Sequence, residues 1–427
     1  MTFTVRTRSV VLSSLEAMKP KALVCPELLS PAGNFEKLCS AIHFGADAVY
    51  LAGRCFGMRA AADNFSDDDL KKAVLYVHSF NKKVYLTINV MPREFEFPQL
   101  KKYIELVGEI CPDAVIVADL GVFSLCRQII PHIPIHISTQ AATVNSCSCR
   151  QWYEMGASRI VLARELSLEE IVKIKSAIPA ELELEAFIHG SMCVSFSGRC
   201  MLSEYFTGRD ANRGACTQPC RWQYRFSEEK RSEDVLTAEI YPEGSYIFGS
   251  KDLCMIDHIG ELISSGIHSL KIEGRMKSAY YAAVTTNAYR IAIDGYLKKN
   301  EIALQDLHKE LESVSHREYC TGYFFDKEML HSNLATNSGY IGEQSFLCSV
   351  EDFDFENMTA LCIQNNKFSV GASCEYISPG SAGNPIKILE MYDEKGMKIS
   401  DCPHPKMKFK IRTDKKLKKG DLIRKAQ

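Results

Sequence analysis

Glu27–Gly53 reads ELLSPAGNFEKLCSAIHFGADAVYLAG, and it sets the pattern for most of the chain. A short β-rich apolar run meets a polar tip, with Ser30 or Asn34 near the start of a helix, and ADAVYLAG follows as a second strand. The unit then recurs. FSDDDLKKAVLYVHSFNKK has Ser66 as an N-cap and an acidic first turn that suits the helix dipole. KVYLTINV, DAVIVADLG, IPIHISTQ, SRIVLARE, LELEAFIHG and HSLKIEGR read as further strands, with FPQLKKYIELVGEI and LCMIDHIGELISSGI as helices. Strands alternating with helices indicate parallel βαβ units. Starts at Glu27, Ala48, Val84, Ala114, Ile135, Arg159, Leu182 and Ser269 give eight strands, so the expected fold is α/β, a TIM-type (β/α)8-like barrel. A doubly wound open sheet is the rival. The strand runs read as apolar on both faces, as strands between a barrel interior and a helical ring should. Many end in polar residues: Asn89, Asp119, Ser138, Thr139, Gln140, Arg164, Glu165, Glu185, His189, Glu273 and Arg275. In such barrels these ends form the active-site mouth.

The chain has 427 residues, 46% hydrophobic and 24% charged, with a net charge of −2. This composition suits a globular protein and gives no overall polyanion-binding signature, so a nucleic-acid site would have to be a local basic patch. No apolar run approaches the roughly 18–20 residues that span a bilayer. Residues 1–24 read as a flexible N-terminal extension, with a transit segment as the alternative. Seventeen cysteines without a visible secretory signal point to reduced thiols or a metal site in the cytoplasm. Cys39, Cys111, Cys126, Cys348 and Cys362 lie in apolar patterns and read as buried small hydrophobes. The barrel is expected over 25–335. Residues 339–427 lack helical periodicity and read as a small C-terminal β-barrel-like domain. Its basic residues Lys406, Lys408, Lys410, Arg412, Lys415, Lys416, Lys418 and Lys419 either touch RNA phosphates or form a solvated edge strand and loop.

Residues 185–225 leave strand seven and should cap the mouth. Cys193, Cys200, Cys216 and Cys220 follow C-x6-C-x15-C-x3-C. Thiolates select iron–sulfur clusters or zinc. The irregular spread suits a cluster held by a wrapping loop, while zinc and unconnected thiols remain open. Cys254 is either a substitute ligand or a helix-start residue. Arg199, Arg209, Arg213, Arg221 and Arg225 lie near Tyr205, Trp222 and Tyr224. Guanidinium forks bind phosphates or carboxylates, and aromatic rings stack splayed bases. The bland reading is a set of salt bridges that pin the loop. Glu185 and His189 are expected to face the same way on strand seven. Lys271, Glu273 and Arg275 should share one face of strand eight, as active-site groups or as a packed ion network. His136, with Ser138 and Gln140, is a weaker case of the same kind. No P-loop, G-x-S-x-G or zincin helix occurs in the sequence.

EAFIHGSMCVSFSGRCMLS resembles the signature of the U32, or collagenase-like, peptidase family. ELLSPAGNFEKL, GADAVYLAG, KKVYLTINV, DAVIVADLGV, HISTQA, IVLARELSLEEI, GRDANRGACTQPCRW and SLKIEGRMKS also look like segments of that family, from about Pro26 to Tyr323. The branch most resembled acts on tRNA, and the resemblance implies hydroxylation of wobble uridine to 5-hydroxyuridine. It implies a 4Fe–4S cluster on Cys193, Cys200, Cys216 and Cys220, and prephenate as a hydroxyl source. Beside the resemblance, we expect Arg209, Arg213 and Arg221 to make phosphate or carboxylate contacts, Trp222 to stack a base, and Arg275 to clamp a dicarboxylate such as prephenate. Glu185, His189 and Glu273 are the candidates for proton handling. The alternatives are a peptidase and a non-catalytic subunit that works with a paralogous family member.

Overall fold

The computed structural model describes residues 25–58, 63–193, 195–222, 250–325, 340–342, 344–404 and 406–426. The expected extension over 1–24, and Tyr224 and Arg225 of the cap, lie outside the described residues.

Eight parallel strands close into a barrel. They are β1 (Glu27–Pro31), β2 (Ala48–Leu51), β3 (Lys83–Ile88), β4 (Ala114–Val117), β5 (Ile135–Ile137), β6 (Arg159–Val161), β7 (Glu183–Ser191) and, after the short β8 (Asp252–Cys254), β9 (Ser269–Ile272). Neighbours pair in sequence order, and β9 closes the ring by pairing with both β7 and β1. Every strand expected from sequence is present, and the open-sheet alternative is excluded by that closure.

Several helices begin where the sequence offers a cap. Asn34 accepts from Lys37 N–H ahead of α1 (Phe35–His43), and Ser66 accepts from Asp69 N–H ahead of α2 (Asp67–His78). α3 (Phe97–Ile110) follows with proline in its first turn. Asp119 and Asn145 cap α4 (Leu120–Ile129) and α5 (Ser146–Glu154). Ser167 and Glu170 form a capping box on α6 (Leu168–Ser176). α7 (Leu202–Thr207) belongs to the cysteine segment, and α8 (Ile259–Ser264) precedes β9. The buried α9 (Ala279–Lys298) and α10 (Leu304–Glu312) complete the ring, and the two-residue β10 (Tyr319–Cys320) pairs with β8.

Two expectations are corrected here. The strands are not apolar on both faces. Their outward residues, such as Leu28, Val49, Leu86, Val115, Ile160, Leu184 and Leu270, join the main core against the helices. The inward face instead carries Glu27, Arg159, Glu185 and Lys271, beside a small apolar cluster of Leu29, Ala48, Tyr50, Tyr85, Ala114 and Ile116. Cys254 does not start a helix either. It ends β8, which runs antiparallel to the tip of β7 with His189 opposite Cys254.

The C-terminal domain is an antiparallel sheet of eight strands in the order β14-β13-β18-β11-β12-β17-β15-β16. These are β11 (Phe346–Asp354), β12 (Thr359–Gln364), β13 (Cys374–Ile377), β14 (Asn384–Ile386), β15 (Ile388–Tyr392), β16 (Lys398–Ile399), β17 (Lys408–Thr413) and β18 (Leu422–Lys425). Lys408, Lys410 and Arg412 alternate outward on β17, but β17 lies between β12 and β15, so it is not the edge strand expected. The domain packs on the outer helices. The Arg424 guanidinium grips Glu310 of α10 at 2.6 Å and bonds Tyr280 of α9 at 3.1 Å. The Phe346 ring stacks on Tyr280 at 5.2 Å.

Candidate functional site

The inside of the barrel is a column of charge that starts at its floor. Arg159 of β6 holds Glu27 at 2.6 Å, Glu183 at 2.6 Å and Glu185 at 3.2 Å. Lys271 of β9 takes the other oxygen of Glu185 at 2.8 Å, and its ammonium lies 4.3 Å from the centroid of the Tyr50 ring. Glu185 is fully buried. Burial alone would raise its pKa, but Lys271 and Arg159 overcome that and hold the carboxyl below its ordinary range. Above Tyr50 the column continues: Tyr50 Oη donates to Glu273 Oε2 at 3.2 Å, and Arg164 comes within 3.9 Å of the same oxygen.

There the column opens into a cavity of about 60 Å³. Thr87, Asn89, Ser138, Gln140, Arg164 and the trio Lys271, Glu273 and Arg275 line it together with Tyr50 and Phe187. The trio therefore faces one cavity, as expected for KIEGR. Arg275 is buried, with a guanidinium nitrogen 3.5 Å from Thr87 Oγ1. Arg164 donates to the Ser191 carbonyl at 3.0 Å and lies 4.0 Å over the Phe187 ring, while its buried Nε has no hydrogen-bond partner.

Glu185 and His189 do not lie together. The register between β7 and β9 slips between Phe187 and His189, and this bulge turns His189 outward. It is buried among Tyr281, Tyr289 and Tyr319, with Tyr289 Oη 3.3 Å from its Nδ1. Burial, then the charges of Lys277 and His316, push its pKa down to about 3, so the ring is neutral. Glu185 does not line the mouth cavity either; it meets it only through Lys271. His136 is buried beside Tyr85, 4.7 Å between rings, and burial pushes its pKa down.

The cysteine segment covers the mouth. Two glycines allow the close approach. Gly198 (φ +72°) lies where a Cβ would come within 2.2 Å of the Gln140 carbonyl oxygen, and Gly190 (φ +100°) where it would come within 2.4 Å of the Glu273 carbonyl oxygen. Glu165, at the end of β6, accepts from Ser197 N–H at 2.9 Å and anchors the loop. Inside the cap, Thr217 N–H donates to Ser203 Oγ at 3.0 Å and Asn212 donates to the Cys200 carbonyl at 3.1 Å. These bonds bring the far half of the segment back onto the near half. The Cys220 thiol is pushed up to about 11 by burial, and also by Cys193, Cys216 and Cys200, against the opposing charge of Arg221. Each of the other three thiols thus lies near enough to Cys220 to bear on it, and the donor type suits a soft metal or an iron–sulfur cluster. Among the described residues, no three His, Cys, Asp or Glu side chains are drawn in around a single ion position.

The arginines divide. Arg213 is paired with Glu96 at 2.7 Å, the loop-pinning role. Arg209 is exposed, and Arg199 lines a separate cavity of about 400 Å³ with Gln140, Gln151 and Trp152. Arg221 bonds Gln218 at 2.9 Å and the Tyr340 hydroxyl. Trp222 (40% exposed), Tyr205 (83%), Phe206 (42%) and Met201 (69%) make an apolar surface on the cap. The Phe206 ring joins this group, 5.2 Å from Tyr205 and 6.3 Å from Trp222 between centroids.

A two-part barrel and β domain with this cap can be compared with known proteins. The model for peptidase family U32 matches residues 33–333, and that for the peptidase family U32 C-terminal domain matches residues 342–424. The chain belongs to peptidase family U32. Over 410 residues, 94% of this U32 chain and 95% of its relative, it is 35% identical to tRNA hydroxylation protein P1 of Bacillus subtilis. It is 42% identical to tRNA hydroxylation protein P of Helicobacter pylori over 75% of this chain and 76% of that protein. It is also 36% identical to the 23S rRNA 5-hydroxycytidine C2501 synthase of Escherichia coli, over 64% of this chain and 40% of that protein.

Within this U32 chain, sequence reasoning left out Arg164, Tyr50 and Thr87 as site residues. Arg164 was visible as a polar strand end. Tyr50 and Thr87 read as ordinary strand residues, because only barrel closure brings their side chains under the cap. Among the described residues, no helix is long and apolar enough to cross a membrane.

Proposed function

We propose that the chain hydroxylates wobble uridine of tRNA to 5-hydroxyuridine in the cytoplasm. The reading is carried by one observation: a polar barrel mouth under a four-thiol cap whose outer surface holds exposed aromatics and arginines. Its relatives named as tRNA hydroxylation proteins span most of the chain. In this reading Tyr205 and Trp222 stack unpaired bases of the anticodon loop, and Arg209 meets a phosphate. Cys193, Cys200, Cys216 and Cys220 would hold a 4Fe–4S cluster, which supplies electron transfer when bound. Arg275 and Arg164 hold the carboxylates of a hydroxyl donor such as prephenate. Replacing hydrogen by hydroxyl at C5 takes two electrons and a proton from the base: the hydroxyl donor, whose C–OH bond breaks as the C5–OH bond forms, would be the two-electron acceptor, and Glu273 Oε2, hydrogen-bonded by Tyr50, accepts the proton. Glu185 and Lys271 position Tyr50 from below and do not touch substrate. Glu185 and His189 have no proton-handling role in this mechanism, because neither lines the mouth cavity.

The family's name keeps a peptidase as the second reading, and a subunit that needs a paralogous partner as the third. The test is anaerobic purification with iron and sulfide analysis, followed by nucleoside mass spectrometry of tRNA from a deletion strain carrying the gene or its variants. About four iron and four sulfide per chain are expected, lost when any of the four cysteines becomes serine, together with 5-hydroxyuridine restored by the wild type and not by Glu273→Gln. Gelatin cleavage by a metal-free chain, with no change in tRNA, would return the peptidase to first place. Hydroxylation by the purified chain alone would remove the subunit reading.

A further inference from the structure

Beside the mouth, and adjoining it at Gln140, lies the larger hollow of about 400 Å³. Its walls come from the loop after β3 (Met91), the start of α4 (Asp119), α5 (Gln151 and Trp152) and the cap (Arg199). Size divides the two cavities. Pockets that enclose a small organic molecule run to about 300–1,000 Å³. The mouth, at about 60 Å³, has room for a reacting edge and not for a whole nucleoside. The neighbouring hollow falls within the range and opens to solvent beside the exposed Gln151 and Arg199.

The lining selects the class of ligand. The half-buried Trp152 supplies an aromatic surface, held in place by the buried Phe123 ring at 5.5 Å between centroids. Gln140 and Gln151 bring amides, each both donor and acceptor, which is the pattern on the edge of a nucleobase. Asp119 brings a carboxylate, whose Oδ1 accepts from the Val122 N–H at 3.0 Å. A small dicarboxylate would meet that charge and the amide oxygens, with Arg199 as the one cation of the wall among the described residues. A neutral base meets no such opposition, and the Arg199 guanidinium suits the phosphate attached to it. The cap fixes where Arg199 stands. At the preceding residue, Gly198, a Cβ would come within 2.2 Å of the Gln140 carbonyl oxygen, so the cap is seated directly on the residue that both cavities share.

We infer that this hollow is a second nucleobase site, which takes the unpaired base next in the RNA chain to the one that reacts in the mouth. The inference rests on the reading of the mouth as the place of tRNA hydroxylation, and it names what aligns the RNA there. Trp152 stacks the neighbouring base, Gln140 and Gln151 bond its edge, and Arg199 meets its phosphate. With the neighbour held apart, the reacting base is left unstacked on that side and free to enter the mouth. Trp152 and Arg199 thus serve binding and take no part in the chemistry.

The chain has two tryptophans, Trp152 and Trp222, so the full-length Trp222→Phe variant carries its single indole at the hollow and keeps an aromatic ring on the cap. The test titrates that variant with a tRNA anticodon stem–loop, with stem–loops made abasic at the reacting position or at either neighbour, and with malonate, and reads tryptophan fluorescence. Saturable quenching by the stem–loop is expected, kept when the reacting position is abasic, lost when one of the neighbours is abasic, and absent with malonate. Loss only with the abasic reacting position means that the hollow takes the reacting base itself, and quenching by malonate means a small-acid site. Either result, or no response to any RNA, overturns the inference. Filter binding of the same stem–loop gives a second measure, with about tenfold weaker binding expected for Trp152→Leu and for Arg199→Gln and none for the distant surface control Lys173→Gln. Arg199 is exposed, so its variant decides the matter even where Trp152→Leu fails to fold. Wild-type affinity in Arg199→Gln, or equal weakening in the control, overturns the inference. If the fluorescence responds as expected and 5-hydroxyuridine never forms, the proposed reaction falls and the base site stands. If 5-hydroxyuridine forms while the indole stays silent, the base site falls and the reaction stands.

Discussion

Replacing Lys271 by methionine tests whether the charged column holds the barrel together. The ammonium is 2.8 Å from Glu185, and the two side chains are 5% and 0% exposed. At an effective dielectric of about 20, a contact of that length is worth about 6 kcal/mol of gross attraction. The desolvation of both charges offsets most of it. What the substitution exposes is the other half of the pair. Glu185 keeps only Arg159 at 3.2 Å, and Arg159 is already shared with Glu27 and Glu183. Removing one partner of a buried pair costs about 3–5 kcal/mol, and that is the loss expected. Adding Glu185→Leu should recover at least about 2 kcal/mol of it, because the uncompensated carboxylate is then gone. The assay is urea unfolding followed by far-UV dichroism, with the two single variants and the double variant closing a cycle. The pH dependence adds a sign. Lys271 and Arg159 hold the Glu185 carboxyl below its ordinary range, so its contribution is present above the unfolded pKa and is lost as pH falls through the folded one. In Lys271→Met the deficit should therefore shrink as pH is lowered through the carboxylate range, where Glu185 takes up a proton. A loss under about 1 kcal/mol, or a double variant that loses the sum of the singles, would refute the argument that these groups are dry and coupled.

Arg424→Met removes the grip on Glu310, which is 4% exposed, and should cost about 3–5 kcal/mol. Differential scanning calorimetry should then resolve separate transitions for barrel and β domain where the wild type gives one. His189 is held neutral with its pKa pushed down to about 3, so the unfolded chain binds the proton first as pH falls below about 6.5. Melting temperature should drop between pH 7 and 5, with a slope of at most about 1.4 kcal/mol per pH unit from this group, and His189→Phe should flatten it. Gly190→Ala forces a Cβ to 2.4 Å from the Glu273 carbonyl at φ +100°. It should cost more than about 1 kcal/mol and, on the proposed function, reduce 5-hydroxyuridine formation by displacing Glu273, read by unfolding and by nucleoside analysis.

The barrel was legible because its strands alternate with amphipathic helices, several of whose caps, Asn34 or Ser66 for example, are written in the sequence. Its charged interior was not. Glu27, Arg159, Glu185 and Lys271 stand singly among apolar neighbours, and only closure reveals that they meet. KIEGR was read correctly as facing one cavity, although β9 ends at Ile272 and Glu273 and Arg275 reach that cavity from the segment beyond it. The rule that alternate strand residues share a side failed for Glu185 and His189, since a single slipped register beside Phe187 reverses the side and no local residue announces it. Cys254 was mistaken for a helix start because a three-residue strand carries too little periodicity to compete with the helical pattern after it. The hollow beside the mouth joins residues from four separate parts of the chain, and such convergence is a property of the fold alone.

The floor of the barrel also constrains the order in which the chain assembles. Glu27 lies on the first strand, and its partners Arg159 and Ser269 arrive 132 and 242 residues later. Among the described residues its earlier partners are Tyr85 and the rim lysine Lys83, and water must fill the rest. A nascent chain with five strands laid down holds a wet, charged groove and no dry interior. Strand six brings the guanidinium, and strand nine seals the ring. Water leaves the column in that last step, so half a barrel is no resting state and closure is concerted.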